Sequence, residues 1–278
     1  MKPCSNNFCG GNFKDWLEVY LTSECNGCCP WCVDVGGIRV KDSTAEKITR
    51  EAIFYGAKNI ILLGGEPTLY PELKYVIDEL NSFNRNVYLT TNGSLLTPEF
   101  IKNLENLTGI NISIHHYDLR KNQEITGIDL DFNNLKESIS LLKNNKTIIR
   151  LNCNCIAGYI DSKQETLSYI DFAKELCVDA IRFAELKGDK KSFVNLATIF
   201  ENEFGLNNDP YSLGCNFITK INGMTVYFRQ MCGLQTEHRT AITEPEQIIK
   251  KVLYNDAIVR EGWQYDGAIN SINSGCCY

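Results

Sequence analysis

Short runs of β-branched and apolar residues alternate with amphipathic segments between residues 16 and 187. This alternation is typical of repeated β-α units and a parallel sheet. The predicted strands cover residues 17–22, 59–63, 86–90, 109–114, 147–155 and 180–183. The predicted helices cover residues 43–55, 71–83, 98–106, 133–144 and 162–177. We therefore expect an α/β protein with six parallel strands.

Two of these strands have one polar and one apolar face. Asn111, Ser113 and His115 alternate with isoleucines, and Arg150 and Asn152 alternate with leucine and cysteine. Strands of a helix-covered parallel sheet are normally apolar on both faces, as is the filled interior of a closed barrel. The polar faces therefore predict an incomplete barrel around a wet ligand cavity. The alternative is that they lie at the solvent-exposed edges of an open sheet.

The pattern changes after residue 187. The later segments are a predicted helix at 193–204, a predicted hairpin of 215–221 and 224–230 around Asn222-Gly223, and a predicted helix at 245–254. Asn-Gly between two apolar runs favours a type I′ turn. We expect a core at residues 1–187, including an N-terminal segment, and a small hairpin-plus-helix extension at residues 188–278.

Composition narrows the classes of function. The chain has 278 residues, a net charge of -6 and 13 cysteines. The acidic balance counts against a nucleic-acid partner, and no apolar run reaches the roughly 20 residues that span a membrane. The first residues lack a signal-peptide pattern, so we expect a cytoplasmic protein. In a cytosolic protein, this many cysteines are more often metal ligands or buried side chains than disulfides.

A cysteine cluster follows the first predicted strand. Cys25, Cys29 and Cys32 have the spacing C-x3-C-x2-C. Three thiolates in one loop can bind three irons of a 4Fe-4S cluster and leave the fourth iron open to a small chelating molecule. Cys25 and Cys28 also form a C-x2-C pair, but no matching second pair follows at the spacing of a structural zinc site. A buried cluster without metal is the remaining alternative.

A second motif, Gly64-Gly65-Glu66-Pro67, ends the second predicted strand. Paired glycines let a backbone approach a ligand closely, and a carboxylate there can pair with a ligand ammonium. Alone, such a segment is commonly only a turn. Its position about 30 residues after the cysteine motif in a β-α pattern makes it more specific.

With both motifs, the sequence from about residue 16 to 187 resembles the radical SAM superfamily. It is most similar to the MoaA/SPASM-like branch, which contains the molybdenum cofactor GTP cyclase, the SPASM peptide maturases and viperin. The resemblance rests further on the segments TTNG at 90–93, QEITG at 123–127 and RFAEL at 182–186. It implies an incomplete (β/α)6 radical SAM barrel, a 4Fe-4S cluster and S-adenosylmethionine (SAM) as cofactors, and a reducing partner such as flavodoxin or ferredoxin.

The resemblance also implies roles for individual residues. The cluster ligands would be Cys25, Cys29 and Cys32. The SAM-binding residues would be Trp31, Gly64, Gly65, Glu66, Ser113, Arg150 and Leu186. Candidate substrate contacts are Thr91, Asn92, His115 and Asn152. For His115 and His116 the simpler interpretation is a polar cap at a strand end.

The sequence departs from the GTP cyclase where that enzyme presents arginines to its triphosphate. The corresponding positions are Glu18 and Ile61, and the glycine-rich tail of the cyclase is replaced by Gly275-Cys276-Cys277-Tyr278. These differences count against GTP as the substrate.

Other cysteines suggest a second cluster. The hairpin register sets Cys215 opposite Gln230, so Cys232 falls on the same face as Cys215. Completed by Cys276 or Cys277, this pair would resemble the auxiliary-cluster domain called Twitch. The family's ligand spacing is not reproduced, and simple burial is the alternative. Burial is also the better interpretation for three further cysteines, Cys153, Cys155 and Cys177.

The sequence therefore predicts an enzyme that cleaves SAM reductively to a 5′-deoxyadenosyl radical, which abstracts hydrogen from a peptide or small-metabolite substrate. One alternative is a radical SAM enzyme that modifies a nucleotide or nucleic acid. The other is a non-catalytic iron-sulfur scaffold or electron carrier, against which the intact GGEP segment counts.

Overall fold

The computed structural model describes residues 15–32, 42–186, 191–204, 216–229 and 251–261. The strands are Trp16–Tyr20 (β1), Asn59–Leu63 (β2), Asn86–Thr91 (β3), Gly109–Ser113 (β4), Ile148–Cys155 (β5), Ala180–Glu185 (β6), Asn216–Ile221 (β7), Met224–Arg229 (β8), Lys251–Leu253 (β9) and Val259–Glu261 (β10). The α-helices are Ala45–Tyr55 (α1), Leu73–Ser82 (α2), Leu119–Thr126 (α3), Phe132–Asn144 (α4) and Lys163–Glu175 (α5).

Strands β1 to β6 lie side by side in chain order, and each is parallel to the next. This confirms the six-stranded parallel arrangement predicted from the sequence. Three of the predicted helices begin at a side-chain cap: Thr44 caps α1, Asp131 caps α4 and Ser162 caps α5. Such caps satisfy backbone N–H groups that have no partner inside the helix.

Later strands extend this sheet at both edges. Strands β7 and β8 form an antiparallel hairpin, and β8 pairs in parallel with β6. Asn222 (φ 50°) and Gly223 (φ 83°) are both left-handed, which confirms the predicted type I′ turn. Strand β9 pairs in parallel with β1, and β10 pairs with β9. In the described part of the chain the order runs from β10 at one edge to β7 at the other, so the barrel is open.

The predicted helix at 245–254 is wrong over its last residues, because Lys251–Leu253 is strand β9. Val252 packs with Tyr20 and Tyr254, whereas Leu253 lies in the main core, so both faces of the strand are buried. A short apolar run buried on both faces has no periodicity that separates strand from helix. Residues 245–250 lie outside the described residues.

Other helical segments also differ from the sequence pattern. The segment predicted at 98–106 is a 3₁₀ turn, Phe100–Leu104, and the segment predicted at 193–204 contains a π-helix, Thr198–Glu203. A further 3₁₀ turn, Pro67–Leu69, follows β2. Helix α3 was not predicted, although Asp118 caps its start and Gly127 (φ 72°) ends it.

The core lies between the sheet and helices α1, α2, α4 and α5. Ile110, Ile112 and Leu151 point into it. On the opposite face, Asn111, Arg150 and Asn152 are only 5–8% exposed. Because β4 and β5 are interior strands, their polar residues line a buried surface. The alternative of a solvent-exposed sheet edge is therefore wrong.

Among the described residues, no helix has the length and apolar character needed to cross a lipid bilayer.

Cys153 and Cys155 are fully buried in this core, as the strand period predicts, whereas Cys177 is exposed. The expectation of burial was wrong for Cys177 because it follows the end of α5 in a left-handed conformation (φ 58°). Burial raises the pKa of the Cys153 thiol well above its ordinary value, so that group stays protonated at neutral pH.

We therefore expect thiol reagents to modify Cys177 much faster than Cys153 and Cys155 in the native, iron-free protein. Because labelling needs an accessible thiolate, Cys153 and Cys155 should react at least about 100-fold more slowly. Peptide mass mapping of a labelling time course measures both rates, with Cys177 as the internal control. Fast labelling of Cys153 would mean that the faces of β5 are reversed.

Candidate functional site

The three predicted cluster cysteines lie in a loop at the C-terminal end of β1. Cys25 and Cys32 are exposed and Cys29 is half-buried. The backbone N–H of Gly27 donates to Cys25 Sγ over 3.3 Å, and the N–H of Cys32 donates to the Cys29 carbonyl over 3.0 Å. These turns bring the side chains to one edge of the sheet, where parallel α/β folds bind ligands.

The electrostatics of this loop suit a cation-rich group. Burial, and then the neighbouring Cys32, Cys25 and Cys28, raise the pKa of Cys29 to about 12. A thiol in this position becomes a thiolate only when positive charge lies beside it, and the irons of a cluster would supply that charge. Within the described ranges, no three Cys, His or acidic side chains converge as they would around a single metal ion. In a 4Fe-4S cluster, each cysteine binds a different iron.

Cys28 contacts the end of α3. Its backbone N–H donates to the Thr126 carbonyl over 2.8 Å. A Cβ atom on Gly127 would lie 2.6 Å from Cys28 Sγ. The cysteine loop therefore packs against the end of α3 through Cys28, and only a residue without a side chain fits at Gly127. This contact gives the QEITG segment a structural role that the sequence alone did not reveal.

The GGEP segment runs directly beside the start of the cysteine loop. The N–H of Gly65 donates to the Thr22 carbonyl and the N–H of Glu66 donates to the Glu24 carbonyl, both over 2.7 Å. A Cβ atom would lie 2.5 Å from the Thr22 carbonyl oxygen at Gly64 and 2.2 Å from that of Glu24 at Gly65. Both glycines are therefore required by the close approach of the two backbones.

The Glu66 carboxylate is 1% exposed and faces the next loop. Its Oε1 accepts hydrogen bonds from the Thr68 backbone (3.0 Å) and from the Thr91 hydroxyl (2.6 Å), and its Oε2 accepts from the Asn92 backbone (2.7 Å). The Thr68 hydroxyl also donates to Oε1. An ionised carboxylate accepts about four hydrogen bonds, shared between its two oxygens. Because Oε1 takes three of these bonds, the remaining acceptor capacity lies on Oε2.

The TTNG loop also contacts the cysteine loop directly. Asn92 Nδ2 donates to Asn26 Oδ1, and Asn26 Nδ2 donates to the Ser94 hydroxyl, each over 2.8 Å. Asn92 Oδ1 accepts from the Ser94 backbone over 2.9 Å. Thr91 and Asn92, expected as substrate contacts, thus make hydrogen bonds within the protein.

An apolar cluster lies next to the cysteine loop. Trp31 and Leu186, both expected to bind SAM, belong to this one cluster. Its other members are Ile125, Ile156 and Tyr159. The sequence pattern did not indicate these three, and only the position of Ile125 within QEITG could have pointed to one of them.

His115 connects the apolar cluster to the end of β4. Its ring lies edge-on to Trp31, with the centroids 5.6 Å apart. Its Nδ1 accepts from the Asn154 backbone over 3.1 Å, so a neutral ring carries its proton on Nε2. Burial lowers the pKa of His115 to about 4.

We expect His115 to stay neutral down to about pH 4 in the folded protein. In the unfolded chain the pKa of this histidine is about 6.5, so below that pH the unfolded state binds the proton more readily than the folded state. The contribution of His115 to the free energy of unfolding is therefore complete above pH 6.5 and falls by up to about 3 kcal/mol between pH 6.5 and 4. An NMR titration of the three histidines tests this directly. His115→Gln should flatten the fall in unfolding free energy over that interval. A folded-state pKa near 6.5 would contradict the prediction.

The polar face of β4 and β5 supplies the other predicted contacts. Ser113 pairs with Asn152 across the two strands, and Asn111 pairs with Arg150. The guanidinium of Arg150 lies over the Tyr227 ring, 5.9 Å from its centroid. Ser113, Arg150 and Asn152 thus occupy adjacent positions on the surface that lies opposite the helices.

The cysteines proposed for a second cluster are Cys215, Cys232, Cys276 and Cys277. All four lie outside the described residues. The described hairpin pairs Asn216 with Arg229, which is the register assumed in that prediction.

Comparison with known proteins identifies the family. The model named "Radical SAM superfamily" matches residues 19–173, more than half of the chain. A probable GTP 3',8-cyclase of Sulfurisphaera tokodaii is 32% identical over 190 residues, covering 64% of this chain and 57% of that protein. The GTP 3',8-cyclase of Clostridium acetobutylicum is 31% identical over 190 residues, covering 63% and 57%. The chain thus spans less than two thirds of the length of these relatives.

Among solved structures, Streptococcus suis SuiB bound to the precursor peptide SuiA has a TM-score of 0.58 and 20% sequence identity. The match covers 69% of this chain and 45% of SuiB, and at this identity it supports the fold alone. The family match includes the cysteine loop, the GGEP segment and strands β2 to β5. From the matched sequence and the open β/α barrel together, we conclude that the chain belongs to the radical SAM superfamily.

Proposed function

We propose that this chain is a radical SAM enzyme of the MoaA/SPASM-like type, acting on a peptide or small-metabolite substrate. The observation that carries the proposal is the convergence of three loops at one end of the sheet. The GGEP backbone bonds to residues 22 and 24, the Glu66 carboxylate bonds to the TTNG loop, and that loop bonds back to Asn26. A three-cysteine loop with an adjacent ligand site is the arrangement this chemistry requires.

In the proposed enzyme Cys25, Cys29 and Cys32 hold a 4Fe-4S cluster. When bound, the cluster and SAM supply the chemistry of the class, which is reductive cleavage of SAM to a 5′-deoxyadenosyl radical that abstracts hydrogen. The protein contributes three thiolates and leaves one iron without a protein ligand. Cys28, which packs against Gly127, is not a ligand.

The proposed SAM site uses groups around this loop. Glu66 Oε2 can accept a further hydrogen bond, from a ligand ammonium beside the backbone of Gly64 and Gly65. Ser113 and Arg150 would bind polar groups of SAM, with Arg150 suited to its carboxylate. The apolar surface of Trp31 and Leu186 would contact the adenine.

The proposed substrate site is the polar face of the barrel. Asn152 is 5% exposed, and its Oδ1 has no hydrogen-bond partner among the described residues. A buried carbonyl oxygen without a partner is costly, and a substrate N–H or O–H would satisfy it. His115, neutral and adjacent to Trp31, is a second candidate contact.

A nucleotide substrate is the second candidate, because the curated relatives are named GTP 3',8-cyclases. Glu18 and Ile61 are neighbours across β1 and β2, on the face that does not contact the helices. They stand where the resemblance places arginines that bind a triphosphate. A carboxylate there would repel phosphate, so we favour a substrate without a triphosphate.

The proposal is tested by electron paramagnetic resonance of the anaerobically reconstituted and reduced protein. We expect a 4Fe-4S signal that changes when SAM is added, because SAM would bind the iron that lacks a cysteine. Cys28→Ala should show the same SAM-dependent change. A signal that SAM leaves unchanged would argue for an electron carrier or scaffold.

A second cluster held by Cys215, Cys232 and Cys276 or Cys277 is a separate proposal. Replacing Cys25, Cys29 and Cys32 together should leave about half of the iron and sulfide if two four-iron clusters are present. Measured iron near zero in that triple variant would rule the second cluster out. Whether the protein holds one cluster or two, a reducing partner such as flavodoxin or ferredoxin would supply the electron for SAM cleavage.

A further inference from the structure

Asn26 is the residue directly after the first proposed cluster ligand, and its side chain bonds to a different loop of the protein. It accepts a hydrogen bond from Asn92 Nδ2 and donates one to the Ser94 hydroxyl, each over 2.8 Å. The two partners belong to the loop after β3, 66 and 68 residues away in the chain. Two hydrogen bonds to one amide fix both the position and the orientation of the side chain.

The other end of this connection is anchored in the protein interior. The Asn92 backbone N–H donates to Glu66 Oε2, and the hydroxyl of its neighbour Thr91 donates to Glu66 Oε1. The Glu66 carboxylate is 1% exposed, and the N–H of Glu66 bonds to the Glu24 carbonyl. A hydrogen bond to a buried carboxylate is stronger than one between neutral groups, so this anchor is rigid.

The contacts form a closed ring of three loops. The ring runs from Glu24 through Glu66 and Asn92 to Asn26, and the chain between Glu24 and Asn26 contains only Cys25. Cys25 is therefore held from both sides, by a backbone hydrogen bond before it and a side-chain hydrogen bond after it. Cys28 is held separately, against Thr126 and Gly127.

We infer that Asn26 and Asn92 are positioning residues that fix Cys25 for cluster binding. The hydrogen-bonded side chains of Asn26 and Asn92, anchored by Glu66, are called the brace below. The inference rests on the proposed function only in taking Cys25 as a cluster ligand. The brace acts on the loop before any cluster binds. It requires a hydrogen bond between the side chains at positions 26 and 92.

The first test uses iron-free protein and hydrogen exchange measured by mass spectrometry. Asn92→Ala should speed exchange in the peptide covering residues 22–32 by about fivefold, the effect expected for the loss of one net hydrogen bond. Asn26→Ala also loses the bond to Ser94 and should speed exchange at least as much. The double variant should exchange no faster than Asn26→Ala, because that change already removes the contact with Asn92. Asn133→Ala, at an exposed position in the first turn of α4, is the matched control and should change nothing in that peptide.

The second test uses a conservative variant. The carboxylate introduced by Asn26→Asp can accept from both Asn92 Nδ2 and the Ser94 hydroxyl, so this variant should restore slow exchange. Adding Asn92→Asp to Asn26→Asp sets two carboxylates side by side, and this pair should exchange as fast as the alanine variants. After reconstitution, the time for a chelator to remove half of the iron should shorten about fivefold in the alanine variants and recover in Asn26→Asp.

Unchanged exchange at residues 22–32 in both alanine variants would overturn the inference, whatever the protein does with iron. Equal chelation rates in Asn26→Ala and Asn26→Asp would overturn it as well, because a general loss of the side chain would then explain the effect. Failure of the wild-type protein to bind a cluster would instead contradict the proposed function and leave the exchange test valid.

Discussion

Replacing Cys29 by alanine is expected to abolish cluster binding and SAM cleavage, whereas replacing the adjacent Cys28 is expected to preserve both. Cys29 lies close enough to the other thiols of the loop for their charges to add to the effect of burial, and its pKa rises to about 12. Cys28 instead packs against Gly127. Loss of one of three cluster thiolates should lower SAM cleavage by more than about 1000-fold, because the cluster itself is lost. Iron, sulfide and cleavage rate are measured on each variant after identical reconstitution.

Cys25→Ala and Cys32→Ala should behave like Cys29→Ala, and Cys177→Ala is the matched control because it is exposed and lies outside the loop, after the end of α5. An inactive Cys28→Ala together with an active Cys29→Ala would reverse the ligand assignment.

Gly65→Ala is expected to have the second-largest effect. The added Cβ would lie 2.2 Å from the Glu24 carbonyl oxygen, and because that atom is backbone, the cysteine loop or β2 must move. Overpacking of this kind costs about 1–3 kcal/mol in unfolding free energy. If the same displacement is imposed on the ligand site, SAM affinity should fall by more than about 100-fold, which corresponds to about 3 kcal/mol.

Gly158→Ala separates this steric effect from backbone strain. Gly158 has a positive φ of 84°, and a Cβ there would meet no atom within 4 Å. It should lower the free energy of unfolding by about 1–2 kcal/mol through its left-handed conformation alone and leave SAM affinity unchanged. Urea unfolding of the iron-free proteins and equilibrium SAM binding measure the two effects. Equal losses of affinity in Gly65→Ala and Gly158→Ala would show that the contact with Glu24 is unimportant.

Sequence patterns were sufficient for the parallel sheet and for which face of β5 packs into the hydrophobic core. Successive side chains of a strand point to opposite faces, so the alternation of period two correctly placed Asn152 on the polar face and Cys153 in the core. The Asn-Gly turn fixed the β7–β8 hairpin for a similarly local reason. Strand β9 was missed because its backbone hydrogen bonds are made to β1, at the far end of the chain.

In the candidate site, too, local motifs were predictable from the sequence and contacts between distant segments were not. The motif spacing identified Cys25 and Glu66, but it could not show that the Glu66 carboxylate bonds to Thr91 and Asn92, because that contact depends on how two loops meet. Helix α3 escaped prediction although Asp118 and Gly127 mark its ends, and with it the packing of Cys28. The members of the apolar cluster beside Trp31 come from separate segments and share no sequence signal.

In the proposed function, this chain cleaves SAM reductively at a cluster held by three cysteines. The most direct measurement is the amount of 5′-deoxyadenosine formed anaerobically from SAM and a strong reductant by the reconstituted protein. We expect formation by the wild-type protein and by Cys28→Ala, and none by Cys25→Ala, Cys29→Ala or Cys32→Ala. Absence of 5′-deoxyadenosine from wild-type protein that carries a complete, reducible 4Fe-4S cluster would contradict it.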